Sequence, residues 1–263
     1  MKYAKKQEAI VLKTIDYGET NKIVTLFTRD QGKIAVLAKG AKKPNSQYRA
    51  VTQPFVVAQF LFYQGSGLPS LSQGETIYTF KEIQLDIVKT AYASYIVELV
   101  DKLTEEKNLI FWFMTGLFLA MHQLNNGQDP EMIARIFDLK MLGIAGAKPQ
   151  LDCCASCGSQ ERDPVAFSVT YAGFLCNLCR IKDERAFPLT LSVAKLIRAL
   201  YYLDFNKFGT ITVKDATKQQ LNHMLTFYYD EYVGIQLKSK RFLKQLMKMD
   251  QNLFKLDNDT LEQ

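Results

Sequence analysis

This chain is poor in the groups that usually do catalytic work. Only two histidines occur among its 263 residues, His122 and His223. Neither begins an H-x-E or H-E-x-x-H motif, which removes the zinc-deaminase and metalloprotease patterns. No serine stands in a G-x-S-x-G turn. No G-x-x-x-x-G-K-[ST] loop is present either, since Gly65-Ser66-Gly67-Leu68-Pro69 lacks the lysine. Each histidine reads as a structural residue on its helix, and the chain reads as a non-enzyme. Long apolar runs are also missing. Residues 109–124 are almost wholly apolar but end in His122-Gln123, short of the roughly 20 residues a spanning helix needs. They read as the central helix of a helical domain.

The amino end has a basic start without a following apolar stretch, so no secretory signal is expected. Five cysteines are an odd number that no disulfide framework uses in full. Both points favour a reducing cytoplasm, where thiolates stay available for zinc. The net charge of +6 is unevenly held: residues 1–80 carry 11 Lys/Arg against 5 Asp/Glu, and residues 81–263 carry 22 of each. Such segregation is the footprint of a docking surface for a polyanion. The candidate phosphate contacts are Lys13, Lys22, Arg29, Lys33, Lys39, Lys42, Lys43 and Arg49, with Gly40 letting backbone approach a phosphate. Phe27, Tyr48, Phe55, Phe60, Phe62 and Tyr63 lie among them, and bases can stack on such rings. Lysines that merely discourage edge-to-edge strand pairing are the competing reading.

Four of the cysteines form two Cys-x-x-Cys pairs, Cys154/Cys157 and Cys176/Cys179, spaced C-x2-C-x18-C-x2-C. That is the spacing of a four-thiolate zinc site. A thiolate quartet fills a tetrahedral shell and leaves no position for water or substrate, so one such zinc is structural. A redox dithiol or disulfides are the competing readings. Cys153 would give the looser C-x3-C, whereas Gly158 suits the turn that the Cys154/Cys157 pair imposes; Cys153 then reads as a packing thiol.

The first eighty residues read as five strands, over residues 9–15, 21–28, 33–39, 54–63 and 71–80, which suggests a small OB-type barrel. Helical periodicity takes over from about residue 84, with residues 87–103 the first helix. Asp129-Pro130-Glu131 opens another helix that should stop near Gly143 or Gly146. Helices resume over 191–203 and 214–233, after a zinc module at about 149–182. The fold class is thus α+β and multidomain: an OB barrel over residues 1–80, then a mainly helical domain over 81–263 with an inserted four-cysteine zinc module. Residues 237–249 form a basic helix whose apolar face is Phe242, Leu243, Leu246 and Met247, opposite Lys238, Arg241 and Lys248. It reads as a solvated surface, a seat for an acidic, apolar-ended peptide, or a further DNA contact. Residues beyond about 253 read as frayed.

The chain resembles the bacterial RecO recombination mediators over nearly its full length. The resemblance rests on Ala9-Ile10-Val11-Leu12, Tyr17-Gly18-Glu19, residues 23–28, Gly32 and residues 38–43. It continues through Tyr95-Ile96-Val97-Glu98-Leu99, residues 135–140 with Leu142-Gly143, Pro149, Leu151-Asp152, the first cysteine pair with Gly158, Phe167-Ser168, and Gly173 with the second pair. Ala172 departs from the pattern, where the family often shows the first glycine of a Gly-Gly pair. The resemblance implies binding of single- and double-stranded DNA, annealing of complementary strands and a complex with RecR. It also implies loading of RecA onto strands coated by single-strand-binding protein, whose acidic tail the family can contact. Partner contacts are assigned to Arg135, Lys238, Arg241, Phe242 and Lys248. The alternative function is a zinc-containing adaptor that binds RNA or an acidic protein.

Overall fold

A computed structural model describes residues 3–105, 111–207, 209 and 211–247. Lys248 and the stretch beyond 253, like the first two residues of the apolar run at 109–124, lie outside the described residues. Contacts divide the chain into two units, Met1–Gln128 with Leu237–Gln263, and Asp129–Gln236.

In the first unit, β1 (Tyr3–Tyr17), β2 (Asn21–Thr28), β3 (Gly32–Ala38), β4 (Val57–Gln64) and β5 (Ser70–Tyr78) close a barrel in the order β1-β2-β3-β5-β4. This is the five-stranded OB-type architecture that the sequence pattern predicts. Strand β1 is much longer than residues 9–15. Tyr3–Ile10 pair with β4, and Ala9–Tyr17 pair with β2, with a register shift between Val11 and Lys13. The bulge bends one strand so that it serves two neighbours. Its first half escapes a period-two reading because the inward-facing Gln7 is polar, although only 6% exposed.

The barrel core is built from Val24, Leu26, Val36, Phe60 and Phe62. The connection from 39 to 56 closes one end: Tyr48 donates its hydroxyl to the carbonyl of Ser72 at 2.8 Å. Val51 presses against β5 so closely that a Cβ on Gly74 would lie 2.8 Å from Val51 Cγ1.

Three helices follow: α1 (Lys81–Leu85), α2 (Ile87–Leu103) and α3 (Phe111–Asn125). The Asp86 carboxylate caps α2, accepting the amides of Val88 and Lys89 at 2.8 and 3.0 Å. Met114, Leu117, Met121 and Leu124 of α3 are buried, as a core helix requires. Among the described residues no helix is long and apolar enough to cross a membrane.

Two carboxylates one turn apart on α2 hold other parts of this unit. Asp101 accepts Lys13 from β1 and Lys33 from β3. Glu98 accepts the amides of Lys238 and Ser239, at 3.1 and 2.8 Å, together with the Ser239 hydroxyl. It thereby caps a helical stretch over 238–247. Burial opposes ionisation of Glu98, but the Ser239 hydroxyl and amide, the Lys238 amide and the Lys102 charge outweigh it and hold its carboxyl below the ordinary range. The cap therefore stabilises fully above that range and is lost as pH falls below it, through the lowered value of the folded state.

The docked face of this stretch differs from the expected one. Leu237 and Leu243 are buried, whereas Phe242 and Met247 are 44% and 43% exposed. The seam runs at three-residue spacing through positions 237, 240, 243 and 246, while the sequence reading grouped neighbouring apolar residues.

The second unit begins with α4 (Pro130–Ile144), capped by Asp129, which accepts the amides of Glu131 and Met132. The helix stops where Gly146 takes φ +74°. A three-stranded sheet follows in the order β7-β6-β8, from β6 (Pro164–Ser168), β7 (Gly173–Cys176) and β8 (Phe187–Pro188). Helices α5 (Leu191–Tyr202) and α6 (Asp215–Tyr232) complete it. Phe167 stacks edge-on against Phe174 and against Tyr228 of α6, with centroids 6.0 and 5.4 Å apart.

Ala172, the departure from the family pattern, stands at φ +52°. A side chain there is strained by about 1 kcal/mol. The next residue has no room at all, since a Cβ on Gly173 would meet the carbonyl oxygen of Gln150 at 2.3 Å. Ala172→Gly should therefore raise stability by about 0.5–1 kcal/mol in urea unfolding. A loss of stability would show that the turn is not strained.

Candidate metal centre and nucleic-acid surface

The two cysteine pairs converge because each sits in a tight turn. The Cys154 carbonyl accepts the Gly158 amide at 2.8 Å, with Gly158 at φ +72°. Cys176 ends β7, and its carbonyl accepts the Cys179 amide at 3.1 Å. The sulfurs of Cys154, Cys157, Cys176 and Cys179 all lie within 4.8 Å of one another. Cys157 and Cys176 are 3.9 Å apart, against the about 3.8 Å between corners of a tetrahedron with bonds of about 2.3 Å. The quartet therefore fits a metal ion. Cys153 lies outside the group and is half-buried.

The local core explains what an ion would contribute. It consists of Cys154, Cys176 and Cys179 with Ala166, Leu175 and Ala186. Apart from one leucine it holds only small side chains, too little apolar surface to fix a module of this size. A bound metal would add to this small cluster the hold that its side chains lack.

Protons compete with that metal. Burial disfavours a thiolate at Cys154, but amides of Cys176, Cys157 and Ser156 outweigh it and lower the thiol to about 6. At Cys179 the Ser156 hydroxyl favours ionisation, yet burial and the neighbouring thiols prevail and push the group up to about 11. The Cys154 thiolate forms readily near neutral pH, whereas that of Cys179 needs a cation beside it. Metal affinity should thus fall as pH is lowered from about 8 to below 6, measured by chelator competition. Affinity independent of pH would contradict thiolate ligation.

The basic residues of the barrel divide into two sets. Lys13 and Lys33 converge on Asp101, whose side chain is only 9% exposed. Lys33 Nζ lies 3.5 Å from one carboxylate oxygen and also donates to the Asp101 carbonyl. At the turn joining β1 to β2, the chain from 39 to 43 is stitched to the hairpin. Gly40 donates to the Asn21 side chain and Lys42 to the Thr20 carbonyl, both at 2.9 Å.

These bonds gather Lys22, Lys39, Lys42 and Lys43 beside Tyr17, which is 54% exposed. Lys42 pairs with Asp16 at 2.9 Å in an exposed position, a contact worth at most about 1 kcal/mol and easily exchanged for a phosphate. Lys22, Lys39, Lys43 and Arg49 make no ion pair with the described residues. Arg29 is exposed on the turn after β2.

Of the candidate stacking rings, Phe27, Phe55, Phe60 and Phe62 are buried, and only Tyr63 is well exposed. Tyr17 is the ring that sequence reasoning passes over. Its signal is the Tyr-Gly pair in a hairpin turn flanked by lysines.

The residues assigned to partners also separate. Arg135 is buried, ion-paired with Asp138 at 2.8 Å and donating to the Asn222 side chain of α6 at 2.9 Å. Lys238, Arg241 and Phe242 are exposed. His122 lies against Phe118 and Tyr78, and His223 against Phe187 and Phe227, as structural histidines do.

The chain thus joins an OB-type barrel with a basic end, in sequence, to helices and a cysteine quartet that fits a metal ion. The family model described as Recombination protein O N terminal matches residues 1–80, and that described as Recombination protein O C terminal matches residues 84–241. The DNA repair protein RecO of Shouchella clausii is 67% identical over 245 residues, covering 93% of this chain and 96% of its own. That of Halalkalibacterium halodurans is 47% identical over 93% of this chain and 96% of its own. That of Bacillus cereus (strain AH187) is 49% identical over 92% and 98%. The chain belongs to the RecO family of DNA repair and recombination proteins.

Proposed function

We propose that this protein is a non-enzymatic recombination mediator that binds single- and double-stranded DNA and anneals complementary strands. With RecR it helps RecA load onto DNA coated by single-strand-binding protein, whose acidic tail it contacts. The reading places it in the cytoplasm, at the nucleoid. One zinc ion per chain, held by Cys154, Cys157, Cys176 and Cys179, is the cofactor; when bound it supplies structure rather than chemistry.

The observation that carries the proposal is the cationic end of the barrel, in a chain whose relatives are named DNA repair proteins. Lys22, Lys39, Lys42, Lys43 and Arg49 neutralise phosphates there, and Tyr17 and Tyr63 offer faces to unstacked bases; Arg29, on the turn at the far end of β2, meets a strand only if it runs along the barrel. Lys13 and Lys33 are already engaged with Asp101 and contribute less. Annealing follows from charge neutralisation, because two strands that share one cationic surface repel each other less. No bond is made or broken, so no nucleotide is required.

If four or five phosphates are neutralised, log K for single-stranded DNA against log salt should slope by roughly −3. Coated complementary strands should anneal faster with the protein and no nucleotide, and Lys39→Glu/Lys43→Glu should abolish the gain. A flat salt slope, or annealing indifferent to that variant, would remove the electrostatic basis.

A further inference from the structure

The helical stretch 238–247 carries a second cationic face. Residues 237–247 contain Lys238, Lys240, Arg241 and Lys244 and no acidic residue. Leu237 and Leu243 anchor the stretch, and Glu98 fixes its start. That anchoring leaves Lys238, Arg241 and Lys244 exposed at three-residue intervals, over about 9 Å of helix rise. Phe242, 44% exposed, stands next to Arg241 on the same outer side. The segment belongs to the same compact unit as the barrel.

We infer that this face is a second contact for single-stranded DNA, with Lys238, Arg241 and Lys244 on successive phosphates and Phe242 stacked on a base. The inference rests on the proposed DNA-binding role of the barrel and extends it. Two features favour a nucleic-acid strand over an acidic, apolar-ended peptide. The charges repeat along a line, which matches a polymer with one charge per unit. The apolar group is a ring projecting outward, which suits stacking, whereas a peptide's apolar end needs a cavity to enter. An aromatic ring left in water among exposed cations is also a surface that a stacked base would cover.

The test uses the full chain and a thirty-nucleotide oligo-dT probe, read by fluorescence anisotropy across a salt series. Arg241→Ala/Lys244→Ala should make the log K against log salt slope shallower by about 1.4, at about 0.7 per phosphate on a single strand. Phe242→Ala should weaken binding roughly fivefold or more with the slope unchanged. Thermal unfolding should be unmoved in both, since the altered side chains are exposed.

Wild-type slope and affinity in both variants would overturn the inference while leaving the barrel reading intact. Failure of the unaltered protein to bind would instead defeat the barrel reading. Loss of binding to an acidic, phenylalanine-ended peptide, with oligo-dT binding retained, would make the face a peptide dock and overturn the inference.

Discussion

The first unit depends on the carboxylate of Asp101. Burying that charge is costly unless it is matched, and the match comes from two strands at once, Lys13 of β1 and Lys33 of β3. One buried acid thus couples α2 to the barrel. One turn earlier, Glu98 couples the same helix to the segment starting at Lys238. Helix α2 is therefore the spine on which a β-barrel and a chain segment more than 130 residues further along are assembled.

That arrangement sorts the basic residues by role. Net charge counts the eleven cations of residues 1–80 alike, yet their surroundings differ. A lysine whose ammonium faces a buried carboxylate loses a strong partner if it turns to a phosphate. A lysine on an exposed loop exchanges only water and mobile ions, whose release favours binding. The hairpin at Gly18 and the turn at Gly40 bring the second kind together, which is why a modest charge excess becomes a local surface. In the other unit, four cysteine sulfurs that fit a metal ion stand around a small local core, so the cationic surface and the cysteine quartet arise from separate parts of the chain.

Much of this was legible in the sequence. The barrel strands announce themselves through alternation, as in residues 32–38, and the helix at Asp129-Pro130 through its capping chemistry. The cysteine spacing identifies the quartet because ligand geometry restricts how such pairs can be spaced. What stayed hidden depends on contacts distant in sequence. The first half of β1 carries a polar inward residue, Gln7, that only the barrel interior explains. The strands within the cysteine module are too short for periodicity to reveal. Nothing local marks Lys13 and Lys33 as partners of an acid on a later helix, and nothing local tells which side of residues 237–247 faces inward.

The division of labour among the barrel cations is tested most directly by a double-mutant cycle between Asp101 and Lys33, read by urea unfolding and by the salt dependence of single-stranded DNA binding. The account predicts a coupling of roughly 1–3 kcal/mol in stability, with Lys33→Met leaving the salt slope unchanged. Additive stability effects, together with a shallower slope for Lys33→Met, would show that this lysine faces DNA and would contradict the account.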